Sequence, residues 1–347
     1  MANPGLTDGE RAMTPPPPPQ LVEDTIAEIL LCVQPDEPAD LVRASLVSKP
    51  WRRILTDAAF LRRYREFHRA PPLLGFFHNG HSPRFVPATT TAASPVPQPE
   101  FGSNEWWALD CHHGRVLLDL GYHGNDLLVW DPITGDQHRL QRPGGGCLYF
   151  AAAVLCAVPS CNHLNCHGGP FVVIYMGFHR MFQRIIQVFV YSSETGVWAE
   201  SASIYSGMGY EANDARNVAL IGDELYFTLP QCVGILKYEL GKDCLSVFDP
   251  PDMCGKHASL FQMEDGSLGL TSISGSSLHL WSRNVNPEGV VGWVQCRIIE
   301  LEEILPIHDN CNRASIIGSA EDVGVTFVST DLGVFTVDLK SGCRRGG

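Results

Sequence analysis

The sequence predicts a multidomain α + all-β chain: a small helical module followed by a β-propeller of five or six blades. Three observations predict it. Within residues 21–69, apolar side chains recur at helical spacing. Beyond Pro71-Pro72 the pattern changes to short apolar runs broken by turn residues. Among those runs a polar turn phrase returns at positions 131, 192, 239, 282 and 338, a mean of about 52 residues apart. That interval is the length of a propeller blade.

Composition agrees. The 347 residues are 44% hydrophobic and only 18% charged, with 33 Gly and 25 Pro, a balance that suits turn-rich β structure. The net charge of −13 is uneven. Eight Lys or Arg stand against Asp57 and Glu66 between Arg43 and Arg69, a local +6 that leaves −19 for the rest. Most of this surface would repel nucleic acid. The basic stretch would steer an acidic protein partner or serve as a solvated helix face.

Residues 1–20 are small, polar and proline-rich, ending in Pro15–Pro19. A disordered tail is expected, its proline run extended and within the repertoire of SH3-like or WW-like readers. The tail has no apolar core of a secretory leader. The twelve cysteines are therefore expected as reduced thiols in a cytoplasmic and/or nuclear protein. The longest apolar run, 147–158, is shorter than the ~20 residues a membrane span needs.

The helical module follows at 21–69. Val22, Ile26, Ile29, Leu30 and Val33 form one stripe, with Glu23 and Asp24 in the first turn and Pro35 and Pro38 expected to stop it. A second helix carries Leu41, Val42 and Leu46. Ser48 caps a third, with Pro50 in its first turn and Trp51, Ile54 and Leu55 on its stripe. Asp57 caps a fourth bearing Phe60, Leu61, Tyr64 and Phe67, ended by Pro71-Pro72.

The string Leu21-x-x-Asp24-x-x-x-Glu28-Ile29-Leu30, then Leu41-x-x-x-x-Leu46-Val47-Ser48-Lys49-x-Trp51-x-x-x-Leu55, then Phe60, resembles an F-box. The family usually opens on Leu-Pro, where this chain has Leu21-Val22. The resemblance implies docking to a Skp-family adaptor and, through it, to a cullin-RING ubiquitin ligase. Leu21, Ile29, Leu46, Val47 and Trp51 fall at signature positions and are the adaptor-binding residues the resemblance implies. An ordinary helical subdomain would use the same stripes for its own core, for which Leu30, Ile54 and Leu55 are candidates.

The β unit is expected over 73–340. Leu73–Phe77 and Arg84–Val86 read as strands, the first a candidate to close the ring, and 87–100 as a loop. Strands follow at 115–118, 127–130, 171–175, 187–191, 224–227, 234–238, 278–281, 324–328 and 333–337, with one helical turn at 301–305. The phrases Ile221-Gly222-Asp223-Glu224 and Glu264-Asp265-Gly266-Ser267 read as tight hairpins. A ring of sheets protects most strand edges; a β-sandwich is the alternative. The phrases Tyr191-Ser192-Ser193-Glu194-Thr195-Gly196-x-Trp198, Leu236-Lys237-Tyr238-x-Leu240 and Asp265-Gly266-Ser267-Leu268-Gly269 are similar to the carboxy-terminal region of plant F-box proteins, especially the large grass set. The resemblance implies a kelch-like propeller and brings no catalytic residues.

Candidate chemistry is sparse. Cys161, His163, Cys166 and His167, preceded by Cys156, offer zinc-type ligands. The spacing is crowded and adjacent Cys166 and His167 rarely face one ion. A surface loop joining two strands is the preferred reading, and no metal or cofactor is assigned. Asp110, Cys111, His112 and His113 alternate faces if they lie on a strand, so all four do not converge. Gly144-Gly145-Gly146 lacks the lysine of a phosphate loop, and no nucleophile elbow occurs. Trp106-Trp107 are expected to pack in a blade.

The function expected is a non-catalytic substrate-recognition subunit of a Skp-cullin-F-box ligase. It would hold a protein target through the connections His138–Cys147, Pro159–Pro170, Ser201–Arg216 and Asn284–Gly292. The alternatives are a small-ligand sensor or enzyme tethered by an F-box, and a scaffold without ligase function.

Overall fold

A computed structural model of the chain describes residues 22–33, 38–68, 75–79, 83–87, 106–121, 126–143, 150–161, 163, 166–178, 185–205, 218–229, 232–252, 254, 258–285, 289–306, 314–320 and 324–344. It divides into two compact units, Met1–Arg69 and Ala70–Gly347. The tail, Leu21, Pro35, the Pro71-Pro72 pair, the 87–100 loop beyond Pro87 and the 144–146 glycines lie outside the described residues.

Among the described residues, four helices make up the first unit: α1 Glu23–Leu31, α2 Pro38–Val47, α3 Lys49–Thr56 and α4 Ala58–His68. Pro38 opens α2 instead of stopping α1, because the first helical position needs no amide hydrogen. The Ser48 hydroxyl accepts from the Trp51 amide at 3.4 Å, the cap expected for α3. The Asp57 carboxylate accepts from the Ala59 amide at the start of α4. Ile26, Leu30, Leu31, Phe60 and Tyr64 form the buried centre, with Trp51, Ile54 and Leu55 packed against it. The Tyr64 hydroxyl donates to the Val33 carbonyl at 2.6 Å, satisfying a backbone group beyond the end of α1.

The second unit is a five-bladed β-propeller. Blade 1 comprises β3 Trp107–His112, β4 Arg115–Asp119, β5 Asp126–Trp130 and β6 Gln137–Gln141. Blade 2 comprises β7 Phe150–Cys156, β8 Phe171–Phe178, β9 Ile185–Ser192 and β10 Val197–Tyr205. Blade 3 runs through β11 Val218–Ile221, β12 Glu224–Thr228, β13 Ile235–Glu239 and β14 Cys244–Phe248. Blade 4 runs through β15 Ala258–Gln262, β16 Leu268–Ser274, β17 Ser277–Val285 and β18 Val291–Glu300, followed by the helical turn α5 Leu301–Ile304. Blade 5 has three strands, β19 Ser315–Ala320, β20 Val325–Thr330 and β21 Gly333–Asp338, extended by one bridge from Val337 to Arg344. Every strand pairs antiparallel with its neighbour in sequence alone. That topology excludes the sandwich, whose Greek-key links would pair distant strands.

A two-stranded hairpin, β1 Gly75–His78 and β2 Arg84–Pro87, precedes the blades. The Phe76 ring lies 4.5 Å from that of Phe327 in blade 5, while Phe77 meets Trp106 and Trp130 at blade 1. The Asn79 side-chain amide pairs both ways with the Ala108 backbone, at 2.7 and 2.9 Å. The hairpin thus links the first and last blades. Sheets stack through apolar faces: Ile174, Ile186 and Val188 of blade 2 pack with Leu225, Phe227 and Leu236 of blade 3. At the outer strands, the Trp198 indole donates to the Gln141 carbonyl of blade 1 at 2.8 Å. Trp293 of blade 4 does the same to Asp249, just past blade 3, at 3.0 Å.

The turn phrase proves to be the link between the third and fourth strands of a blade. Gly135 and Gly196 donate back to the carbonyls of Asp131 and Ser192 at 2.8 Å, both glycines with left-handed backbone. The phrase at 282 is an exception, because β17 continues to Val285 with no glycine before Gly289. Parts of three expected loops are also strand: His138–Gln141 in β6, Ser201–Tyr205 in β10, and Asn284, Val285, Val291 and Gly292 in β17 and β18. Their polar, half-exposed residues read as loop because outer strands bury little of either face.

The expectation of reduced thiols throughout needs correction. Cys232, in the β12–β13 turn, and Cys254, beyond β14, form a disulfide with Cα atoms 6.4 Å apart. The folded sheet brings them together across 22 residues, a pairing the scattered spacing did not signal. The other eight described cysteines are free. Among the described residues, no helix is long and apolar enough to cross a membrane.

Candidate functional site

Two regions carry candidate chemistry. On the helical unit, Ile29, Leu46 and Val47 are exposed at 48%, 78% and 66%, together with Val22 and Phe67. Ile29 is exposed although it lies one turn from the buried Ile26 on α1, beside the buried Leu30, and Leu46-Val47 end α2. Trp51 is half-buried against the helical core, so it also supports α3. Leu30 is fully buried, and Ile54 and Leu55 are partly so. Leu21 lies outside the described residues. Arg63 pairs with Glu28 at 2.6 Å and Arg43 with Asp40 at 2.7 Å, both at the surface. Such pairs contribute at most about 1 kcal/mol each.

The second region is the connection 157–170 between β7 and β8. The structure brings Cys156, Cys161, His163 and Cys166 together, their ligand atoms all within 4.8 Å of one another. Cys161 Sγ lies 3.6 Å from Cys166 Sγ, and Cys166 Sγ lies 3.5 Å from His163 Nδ1. His167 is not in the cluster. Its Nδ1 turns to Asp131 Oδ2 at 2.6 Å, in the β5–β6 turn of blade 1. The expected crowding was therefore real for His167, and Cys156 at the end of β7 takes the vacated corner.

Blade 1 holds this connection at three points. The buried Arg115 guanidinium donates to the carbonyls of Cys166 at 2.5 Å and Gly169 at 2.7 Å. The His113 ring stacks on His163 with centroids 3.7 Å apart, and its Nδ1 accepts from the Cys156 amide at 3.1 Å. His167 and Asp131 make the third point. Neither His113 nor Arg115 was identifiable as part of this cluster in the sequence, since both come from the adjacent blade. Of the 110–113 group, Asp110 and His112 pair at 2.7 Å and Asp110 also accepts from the Val154 amide, while Cys111 faces away to the surface. Trp106 is buried in its blade, whereas Trp107 is partly exposed.

Electrostatics follow from this packing. Burial pushes the Cys166 thiol up to about 12, helped by its Cys161 and Cys156 neighbours, while the His163 amide lowers Cys161. Burial raises the Asp131 carboxyl, but bonds from His167 and the Thr134 and Ile133 amides hold it below its usual value. Burial, then the neighbouring His163 and His112, lower His113 to about 4. A histidine neutral in the fold contributes stability that is complete above its unfolded value near 6.5 and declines as pH falls toward about 4. His113→Asn keeps an acceptor and tolerates the left-handed backbone at φ 51°. It is expected to flatten that part of the acid limb in thermal denaturation followed across the window; an unchanged slope would reject the assignment.

A cavity of about 90 Å³ lies beside the connection, lined by Arg115, Asp131, Asp136, His138 and Phe171 among others. It is far smaller than the roughly 300 Å³ of a small ligand site.

No protein-family model matches the sequence, and no curated protein matches it. Among solved structures, the chain is similar to one from a nidogen–laminin complex, at 10% identity and a TM-score of 0.48, over 78% of this chain and 90% of that one. A functionally unknown protein from Desulfotomaculum acetoxidans aligns at 12% identity and a TM-score of 0.43, over 80% of each chain. A chain of a mitotic checkpoint complex aligns at 12% and 0.39, over 77% of this chain and 74% of that one. At these values none of them bears on what this chain binds.

Proposed function

We propose that the protein is a non-catalytic receptor subunit of a Skp-cullin-F-box ubiquitin ligase. Its helical unit docks a Skp-family adaptor and its propeller connections hold a protein target. The observation that carries this reading is the exposure of Ile29, Leu46 and Val47 on a helical unit whose own core is already filled by Ile26, Leu30, Leu31, Phe60 and Tyr64. A small module hides a limited share of its apolar surface, and here the exposed part coincides with positions of the F-box signature. The resemblance of the turn phrases to grass F-box proteins supports the same reading for the propeller.

The test is direct binding of the purified chain to a purified Skp-family adaptor, followed by identification of the proteins captured by the assembled pair. Adaptor binding with no target ubiquitinated would assign the scaffold role. No adaptor binding at all would reject the proposal.

A further inference from the structure

We propose that Cys156, Cys161, His163 and Cys166 form a structural zinc site that fastens the 157–170 connection of blade 2 across blade 1. The inference is independent of the adaptor reading. Zinc takes sulfur at about 2.3 Å and imidazole nitrogen at about 2.0 Å, so a tetrahedral site has edges of about 3.8 Å between sulfurs and about 3.5 Å from sulfur to nitrogen. The observed Cys161–Cys166 and Cys166–His163 separations are 3.6 and 3.5 Å. The whole set lies within 4.8 Å, a closure of at most about 1.0 Å at a sulfur–sulfur edge and about 1.3 Å at a sulfur–nitrogen edge. Four protein ligands fill a tetrahedron and leave no open position, which makes the site structural in kind.

The surroundings fit the charge of such a site. Three thiols would release their protons to solvent on binding, and three thiolates with one Zn²⁺ carry a net charge of −1. Arg115 is buried beside the cluster with its Nη1 lacking a hydrogen-bond partner among the described residues. Among the described residues it bonds only carbonyls and lies over the Phe171 ring, and Asp131, on the same cavity wall, is held by His167. A buried cation calls for an opposing charge, and the zinc thiolate centre supplies it. Stacking of His113 on His163, and its acceptance from the Cys156 amide, orient two of the ligands as outer partners of metal sites do. Ser160 and His163 both have left-handed backbone, at φ 55° and 56°. Strain of that kind persists where the surroundings fix it.

The experiment is metal analysis of the full chain, purified with reductant and without chelator, after loading with zinc and exhaustive dialysis. One zinc per chain is expected, falling to near zero in Cys166→Ser and staying at one in Cys244→Ser, an exposed cysteine on another blade. Zinc retained by Cys166→Ser would show an adventitious ion only and overturn the site. Should that variant not fold, cobalt loading of the unmodified chain decides. Intense visible bands of tetrahedral cobalt with thiolate charge transfer support the site, and the pale spectrum of six-coordinate cobalt overturns it. A Cys161–Cys166 disulfide found by peptide mapping of the reductant-purified chain would equally overturn it.

Discussion

Changing Leu46 and Val47 together to alanine is expected to weaken capture of a Skp-family adaptor by at least about thirtyfold while leaving both units folded. Truncation of one interface anchor typically costs about 2 kcal/mol, some thirtyfold in affinity. Two adjacent anchors share partners, so their effects need not simply add. Both side chains are mostly in solvent, at 78% and 66% exposure, and alanine is the best helix former for the end of α2. Circular dichroism should therefore be unchanged. Trp51→Ala is the less clean variant, because its ring packs on the core as well. The basic side chains nearby are expected to set association rate and salt sensitivity more than affinity. Titration calorimetry with purified adaptor reads the result. Undiminished binding by the folded double variant would remove the helical unit's exposed residues from the proposed interface.

Phe227→Ala is expected to cost the propeller about 3–5 kcal/mol, the usual range for a buried aromatic truncated to a methyl. Phe227 is completely buried on β12, inside the cluster that joins blades 2 and 3, among Ile186, Val188, Leu225 and Leu236. Antiparallel pairing fixes it between Val218 and Leu236, so the sheet has little freedom to collapse into the void. For a unit of this size each kcal/mol moves the melting temperature by about 2–4 °C, giving a fall of about 10 °C. Differential scanning calorimetry measures it. The helical unit has a core of its own, and adaptor binding at low temperature is expected to be unaffected. A loss below about 1 kcal/mol would mean that the interblade cluster is not the chief source of propeller stability. Adaptor binding lost along with the propeller would mean that the two units do not fold separately.

Much of this architecture was legible in the residues. Helix spacing, the Ser48 cap and the Asp57 cap are local signals, written within four residues of where they act. Strands β4, β5, β8, β12, β13 and β20 stand out because most of their residues are buried and apolar runs mark them, and β9 and β21 because apolar residues recur along them although few are fully buried. Outer strands such as β10 and β18 bury little, so their sequences lack the contrast that marks a strand. The turn phrase, over its five positions, gave the blade interval of about 52 residues, and at Asp131 and Ser192 the link closes on a left-handed glycine.

By itself, then, the sequence determined a helical module, a following β unit of repeated hairpins and a blade length near 50 residues. Only the tertiary structure decided the blade count, the place of the β1–β2 hairpin between Phe327 and Trp106, the Cys232–Cys254 disulfide and the grouping of Cys156, Cys161, His163 and Cys166. The division has one physical reason. Periodicity and turn chemistry are set by neighbours along the chain, whereas His113 and Arg115 reach the Cys156 cluster from 43 and 51 residues away, through the packing of one blade on the next.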